Sequence, residues 1–165
     1  MAKVLTINYE KCTGCRQCEL VCSVSHEGVS NPSRSRINII KWESEGLYIP
    51  MSCQQCEDAP CISVCPVKAI SRDQDLDYVK IDYDVCIGCR LCVAVCPFGA
   101  MNFNAQDKKV FKCDLCEGEP NCVLFCEVKA IDYIDADELS MVKKRDAAQK
   151  QSVAQKKASA LEAEI

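Results

Sequence analysis

Cys12-Thr13-Gly14-Cys15-Arg16-Gln17-Cys18-Glu19-Leu20-Val21-Cys22 and Cys86-Ile87-Gly88-Cys89-Arg90-Leu91-Cys92-Val93-Ala94-Val95-Cys96 share one spacing, C-x2-C-x2-C-x3-C. Two further groups follow it loosely. Cys53, Cys56, Cys61 and Cys65 widen the middle gap to four residues, and Cys113, Cys116, Cys122 and Cys126 widen it to five. The four groups use all 16 cysteines of the 165-residue chain. A share that high signals either a disulfide scaffold or bound metal. The apolar content of 48% counts those cysteines. Without them it falls to about 38%, thin for a core, so the cysteines help hold the fold together.

The spacing decides for metal. Three cysteines at two-residue intervals let a tight loop curl around one corner of an iron–sulfur cube, with backbone N–H groups aimed at the inorganic sulfides. Gly14 and Gly88 suit that close backbone approach. The fourth cysteine points the other way, and in two-cluster ferredoxins it ligates the other cluster. Cys65-Pro66 and Cys96-Pro97 complete the C-P ending of the bacterial ferredoxin run, whereas Cys22-Ser23 and Cys126-Glu127 depart from it. Zinc also takes four thiolates but does not need a third cysteine two residues on. No C-x-x-C is followed by His, which excludes covalent haem. Four groups with no ligand missing predict four [4Fe–4S] clusters rather than a three-iron centre.

The N-terminus, Met1 to Glu10, has an apolar part too short and broken for a signal-peptide core. The reading is therefore cytoplasmic, where thiols stay reduced. No stretch approaches the ~20 apolar residues of a membrane span, so no direct span is expected.

The chain also repeats itself. Cys65-Pro66-Val67-Lys68-Ala69-Ile70, Cys96-Pro97-Phe98-Gly99-Ala100-Met101 and Cys126-Glu127-Val128-Lys129-Ala130-Ile131 each read as a helical turn leading into a strand. Ala69 to Asp82 reads as a hairpin turning at Arg72-Asp73-Gln74-Asp75. Met101 to Lys112 repeats it, turning near Asn104-Ala105-Gln106-Asp107. Arg36 to Trp42 is a candidate strand that pairs with Leu47-Tyr48-Ile49 across Glu43 to Gly46.

On these groups the chain resembles the four-cluster ferredoxin-type electron-transfer subunits of molybdenum and tungsten pterin oxidoreductases, over roughly Lys3 to Asp137. Similar subunits serve dimethyl sulfoxide reductase, nitrate reductase, formate dehydrogenase and carbon monoxide-linked hydrogenases. The stretches Cys22-Ser23-Val24-Ser25-His26-Glu27-Gly28 and Asn31-Pro32-Ser33-Arg34-Ser35-Arg36-Ile37 look most like the ferredoxin-like partners of tungsten aldehyde oxidoreductases. The resemblance implies crossed ligand sets. One cluster takes Cys12, Cys15, Cys18 and Cys126, and a second takes Cys22, Cys113, Cys116 and Cys122. A third takes Cys53, Cys56, Cys61 and Cys96, and a fourth takes Cys65, Cys86, Cys89 and Cys92. It also implies an α+β fold of two bacterial-ferredoxin-like 2[4Fe–4S] halves related by pseudo-twofold symmetry. The outer half is 1–50 with 105–140, the inserted half is 51–104, and 141–165 is a helical or flexible tail. The implied role is a serial one-electron relay, not an enzyme alone. Its partners would be a large tungsten- or molybdenum-pterin catalytic subunit and a flavin- or NAD-binding subunit. The alternatives are a free-standing polyferredoxin, the equivalent subunit of a hydrogenase, formate dehydrogenase or aromatic-acyl reductase, and a filament-forming wire.

The rest of the sequence fits a carrier. There is one histidine, His26, and His26-Glu27-Gly28 does not complete an H-E-x-x-H zinc motif. It reads as a hydrogen-bonding residue of its loop, or as one that tunes a cluster. No G-x-G-x-x-G or phosphate loop is present, which argues against NAD or flavin bound here. Glu57 and Asp58 lie in group two, and Asp114, Glu117 and Glu119 in group four, whereas groups one and three carry Arg16 and Arg90. If those charges are not merely solvated, groups two and four house the lower-potential clusters. Trp42 and the tyrosines read as core or interface packing. Arg34 and Arg36 read as partners for cluster charge or for an acidic surface, the alternative being a solvated loop.

The tail from Met141 to Ile165 favours helix by composition, with Ala147, Ala154, Ala158, Leu161 and Ile165 on one face. It is a candidate for self-association or docking. Sixteen thiolates on four oxidised cubes would take the net charge from −4 to about −12, while the tail is basic. An acidic whole without an aromatic-plus-basic groove argues against nucleic acid.

Overall fold

The computed structural model of the chain describes residues 3–163. In chain order its elements are β1 (Lys3–Ile7), α1 (Gln17–Glu27), β2 (Ile37–Trp42), β3 (Leu47–Ser52), α2 (Pro60–Ser63), β4 (Ile70–Arg72), β5 (Val79–Ile81), α3 (Leu91–Val95), β6 (Asn102–Asn104), β7 (Lys109–Phe111), α4 (Asn121–Leu124), β8 (Ile131–Asp135) and α5 (Ala136–Ala163). Short single turns of 3-10 helix cover Tyr9–Lys11, Pro32–Arg34 and Leu115–Gly118.

All three expected hairpins form. β2 pairs with β3, Ile37 opposite Ser52 and Trp42 opposite Leu47. β4 pairs with β5, Ile70 opposite Ile81, and β6 with β7, Asn102 opposite Phe111. The pairing that the sequence did not suggest is the long-range one. β1 runs antiparallel to β8, with Lys3 opposite Asp135 and Ile7 opposite Ile131. The first and last strands of the cysteine-bearing body are thus joined, and the hairpins lie between them in the chain.

Helix contacts nest in the same way. α1 packs against α4, and α2 against α3. α1 carries Cys18 and Cys22 of group one and stops at Gly28, whose left-handed conformation (φ 69°) lets its N–H reach the Val24 carbonyl at 2.9 Å. α2 opens with Pro60, a residue suited to the first helical position.

Three apolar cores result, and cysteines build each of them. The first holds Cys18, Cys22, Ile37, Ile39, Cys122 and Ile131, with Leu5, Cys12 and Cys126 packed against it. The second holds Ala59, Ile70, Val79, Cys92, Met101 and Val110, backed by Cys56, Cys61, Cys65, Cys86 and Cys96. The third, Tyr78, Cys113 and Leu115, also touches Leu5, Cys53 and Tyr133, and so meets the first core through Leu5.

One local expectation changes. After Cys65, Cys96 and Cys126 the chain makes one hydrogen-bonded turn rather than a turn of helix, whereas Cys22 continues within α1. The N–H groups of Lys68, Gly99 and Lys129 donate to the carbonyls of Cys65, Cys96 and Cys126 at 3.2, 3.3 and 3.1 Å. Those three donors all have positive φ, which stops helix propagation at once. Of the two readings of Trp42, its 44% exposure at the end of β2 leaves interface packing rather than core, whereas Tyr78 is buried.

α5 begins at Ala136, directly after β8 and ahead of Met141. Asp137 and Glu138 in its first turn complement the helix dipole. Ala147 is exposed. The side chains of Ala154, Ala158 and Leu161, and all of Ile165, lie outside the described residues. No described helix is long and apolar enough to cross a membrane.

Candidate iron–sulfur ligand sets

The ligand loops repeat one backbone conformation. Gly14 and Gly88 have φ 69° and 66°, and the arginines two residues on, Arg16 and Arg90, have φ 64° and 66°. Alternating left-handed residues turn successive N–H groups into a concave, anion-binding nest. The glycines are required by space as well. A Cβ on Gly14 would stand 2.6 Å from Cδ1 of Tyr48, and one on Gly88 would collide with the Lys108 carbonyl oxygen. Groups two and four reach comparable turns by other residues, with positive φ at Gln55 and at Leu115, Cys116 and Glu117.

Three small chambers are lined by cysteines. One takes Cys113, Cys116 and Cys122 from group four and Cys22 from group one. A second takes Cys86, Cys89 and Cys92 from group three and Cys65 from group two. A third takes Cys53, Cys56 and Cys61 from group two and Cys96 from group three. Of the remaining four cysteines, Cys12, Cys18 and Cys126 share the first core. Cys12 and Cys15 are both close enough to Cys18 to push its thiol up electrostatically. Cys15 and Cys89 are the two exposed cysteines.

Thiol energetics fit a metal-bearing site. Burial, with repulsion from neighbouring cysteines, pushes Cys18 up to about 12 and Cys92 up to about 11. Burial also raises Cys113 and Cys122, the latter with repulsion from Cys113, Cys22 and Cys116. Several thiols held close and out of water resist ionising unless a cation neutralises them. Iron supplies that charge when clusters bind, so the donor chemistry fits the group.

Every fourth cysteine receives one backbone hydrogen bond at sulfur. Ala69 N–H donates to Cys65 Sγ at 3.3 Å, Ala100 to Cys96 at 3.4 Å and Ala130 to Cys126 at 3.2 Å. For Cys22 the donor is Arg36 N–H, 3.3 Å away. Burial works to raise Cys22, yet hydrogen bonds from His26, the Arg36 amide and Ser35 outweigh it and lower the thiol overall.

Around Cys22 lies a charged network. His26 Nδ1 is 2.8 Å from the Cys22 carbonyl oxygen and Nε2 is 3.1 Å from Asp114 Oδ1. Both ring nitrogens face acceptors, so both donate. The Asp114 bond, with bonds to Cys116 and Cys22, accordingly pushes His26 up to about 12. Burial works to raise Asp114, but His26 and Arg36 hold its carboxyl well below the usual range. His26, Asp114 and Cys116 place ligand atoms within 4.8 Å of one another, but two of the three are already committed to this network. Arg36 pairs with Asp114 through Nη1. Its Nε is buried and has no hydrogen-bond partner among the described residues, and Arg36 lines the Cys22 chamber. An unsatisfied cationic donor beside four thiols suits an anionic occupant.

Of the residues read from sequence, Arg34 pairs with Glu27 at 3.4 Å, and Arg16 with Glu19 at 2.5 Å. Arg90 lies over the Phe103 ring, 4.9 Å from its centroid. Three supporting residues went unread. Glu19, 1% exposed, accepts the Ile39 N–H at 2.6 Å and so ties α1 to β2. Arg72 donates through Nη2 to the carbonyls of Cys56 and Glu57, bracing the group-two loop. Lys112 is 2% exposed. A lysine between the apolar pair Val110-Phe111 and Cys113 was the available signal for that burial.

Known proteins carry the same pattern. A family model for the 4Fe-4S dicluster domain matches residues 44–136, and one for the 4Fe-4S binding domain matches 5–24. The aliphatic sulfonate oxidoreductase polyferredoxin-like subunit of Pyrococcus furiosus is 40% identical over 79% of this chain and 75% of its own length. Electron transport protein HydN of Escherichia coli is 36% identical over 86% of this chain and 93% of its own. One subunit of the E. coli anaerobic dimethyl sulfoxide reductase is 36% identical over 81% of this chain and 73% of its own. Among solved structures, a component of the active site complex BamBC of benzoyl coenzyme A reductase, in complex with zinc, aligns with a TM-score of 0.50. It is 27% identical, covering 89% of this chain and 90% of that one. By this match over more than half of its residues, and by relatives aligned over most of their length, the chain belongs to the [4Fe–4S] dicluster ferredoxin family of electron-transfer proteins.

Proposed function

We propose that the chain is a one-electron relay subunit holding four [4Fe–4S] clusters. It connects a pterin-metal catalytic subunit, in an aldehyde oxidoreductase complex, with a further donor or acceptor such as a flavin- or NAD-binding subunit. The ligand sets are Cys12, Cys15, Cys18 and Cys126; Cys22, Cys113, Cys116 and Cys122; Cys53, Cys56, Cys61 and Cys96; and Cys65, Cys86, Cys89 and Cys92. The observation that carries this reading is the crossed lining of three chambers, each with three cysteines of one group and the fourth of another. The nested pairs β1–β8, α1–α4 and α2–α3 support an outer half of 1–50 and 105–140 around an inserted half of 51–104. Bound clusters take up and release electrons singly. The protein's own part is to hold the sulfurs, exclude water and fix the surrounding charge. Cysteines kept for cluster ligation rather than disulfides suit the reducing cytoplasm. The basic tail favours self-association or attachment to an anionic body.

Anaerobic isolation with everything that stays bound tests the reading. Iron and sulfide near 16 per chain, with tungsten or molybdenum in a large co-purifying subunit, are expected. About four zinc and no sulfide would overturn it.

A second reading is the electron-transfer subunit of an aromatic-acyl reductase, favoured by the alignment with the BamBC component over nine-tenths of its length. Electron delivery to an aldehyde or to an aromatic acyl thioester, assayed with the intact complex, separates the two.

A further inference from the structure

Lys112 stands between two of the proposed ligand sets. It follows β7 and immediately precedes Cys113. Its ammonium donates to the Val79 carbonyl, to the Cys113 carbonyl at 2.8 Å and to Gln55 Oε1 at 3.4 Å. An ammonium has three donors, and all three are spent on neutral oxygens. No carboxylate pairs with it among the described residues. A buried charge answered only by neutral dipoles is under-compensated, so its counter-charge must come from elsewhere.

Two anionic neighbours are available on the reading proposed above. Lys112 lines the chamber of Cys53, Cys56, Cys61 and Cys96. Through Cys113 it also touches the backbone of the set with Cys22, Cys116 and Cys122. Four thiolates around an oxidised cube leave a net charge of about −2, and each added electron makes it more negative. Two such groups side by side repel. A single cation fixed between them offsets that repulsion and favours the reduced state of both.

Gln55 holds the cation in place. Its Oε1 accepts the Val79 N–H at 2.9 Å as well as the lysine, and its Nε2 donates to the Cys113 carbonyl at 2.9 Å. The same side chain therefore ties the group-two loop, β5 and the group-four loop around Lys112.

We propose that Lys112 is a shared electrostatic bridge between the Cys53/Cys56/Cys61/Cys96 and Cys22/Cys113/Cys116/Cys122 clusters. Its fixed charge holds both at higher reduction potential than their cysteines alone would set. Lys112 gains neither electron nor proton in this role. The inference rests on the ligand sets above, and iron analysis of the unaltered protein tests those sets separately.

The experiment is a potentiometric titration followed by EPR on the intact, cluster-loaded protein, with Lys112→Met and Gln55→Glu as variants. Lys112→Met keeps the length and removes the charge. Gln55→Glu keeps the lysine and sets a carboxylate against it. In each variant two of the four clusters move to lower potential while the other two keep their midpoints. Four unchanged midpoints in a variant that retains its iron, or movement of only one cluster, would overturn the proposal. If Lys112→Met fails to retain iron, Gln55→Glu decides by the same readout. Loss of iron from both variants marks Lys112 as a structural brace only, and equally overturns the charge role.

Discussion

The backbone amide of Arg36 donates to the sulfur of Cys22 across 3.3 Å, whereas the other three fourth cysteines are served by the residue four positions on. Cys22 lies inside α1, so its own following backbone is committed to the helix. The chain instead returns through Asn31 to Ile37 to supply the bond. Asn31 N–H donates to Ser23 Oγ at 3.1 Å, and Ser35 Oγ donates to the Ile37 carbonyl at 2.5 Å, fixing that return. Arg36→Pro removes the amide donor. Ser35 already has the extended conformation (ψ 144°) that a following proline demands. A hydrogen bond to a charged acceptor is worth about 1.5–3 kcal/mol. The cluster held by Cys22 is therefore expected to move to lower potential relative to Arg36→Met, which keeps the amide and loses the same side chain, by EPR-monitored titration.

Asp114 alters the charge reading of group four. Sequence alone counts it as a negative residue beside a cluster. In the structure Arg36 and His26 both pair with it, so Asp114 is answered locally and the acidic charge of group four rests on Glu117 and Glu119. Asp114→Asn leaves two cationic partners less compensated. The potential of that cluster rises, read by EPR-monitored titration, and a fall or no change would show that the pair is screened from the cluster.

Gly88 offers a test of loop geometry. Its φ of 66° costs any other residue about 1–2 kcal/mol. Its missing Cβ also makes room for the Lys108 carbonyl oxygen, a backbone atom that cannot swing aside. Gly88→Ala is expected to lose about a quarter of the bound iron before the other clusters are affected. Gly28→Ala serves as a control, because it has the same φ sign but open space around it. It should keep full iron and lose only thermal stability.

The cysteine spacing made the cofactor legible, and alternating apolar residues made the hairpins legible, because both are short-range patterns. The β1–β8 pairing was not legible, since nothing local in Lys3–Ile7 names a partner 124 or more residues away. The crossing of ligand sets came from family resemblance. The cysteine-lined chambers are the observation on which the proposed sets rest. Glu19, Arg72 and Lys112 were missed for a common reason. Each is charged, and sequence rules send charge to solvent. Each instead answers backbone groups: Glu19 the Ile39 amide of β2, Arg72 the Cys56 and Glu57 carbonyls of the group-two loop, and Lys112 the Val79 and Cys113 carbonyls.

Glu19 carries the last prediction. Its carboxylate is buried between the Ile39 amide at 2.6 Å and Arg16 Nε at 2.5 Å. Glu19→Ala strands that amide in an apolar core containing Ile37 and Ile39 and frees the arginine that opens α1. Arg16 is about half exposed, so its lost ion pair adds little, and most of the cost falls on the amide. Together with the space left behind, this is expected to cost about 2–4 kcal/mol. The loss is read as a lower midpoint in anaerobic denaturant unfolding of the cluster-loaded protein. Glu19→Gln keeps an acceptor for Ile39 and should recover most of the stability. If it recovers none, the charge rather than the amide contact holds α1 against β2.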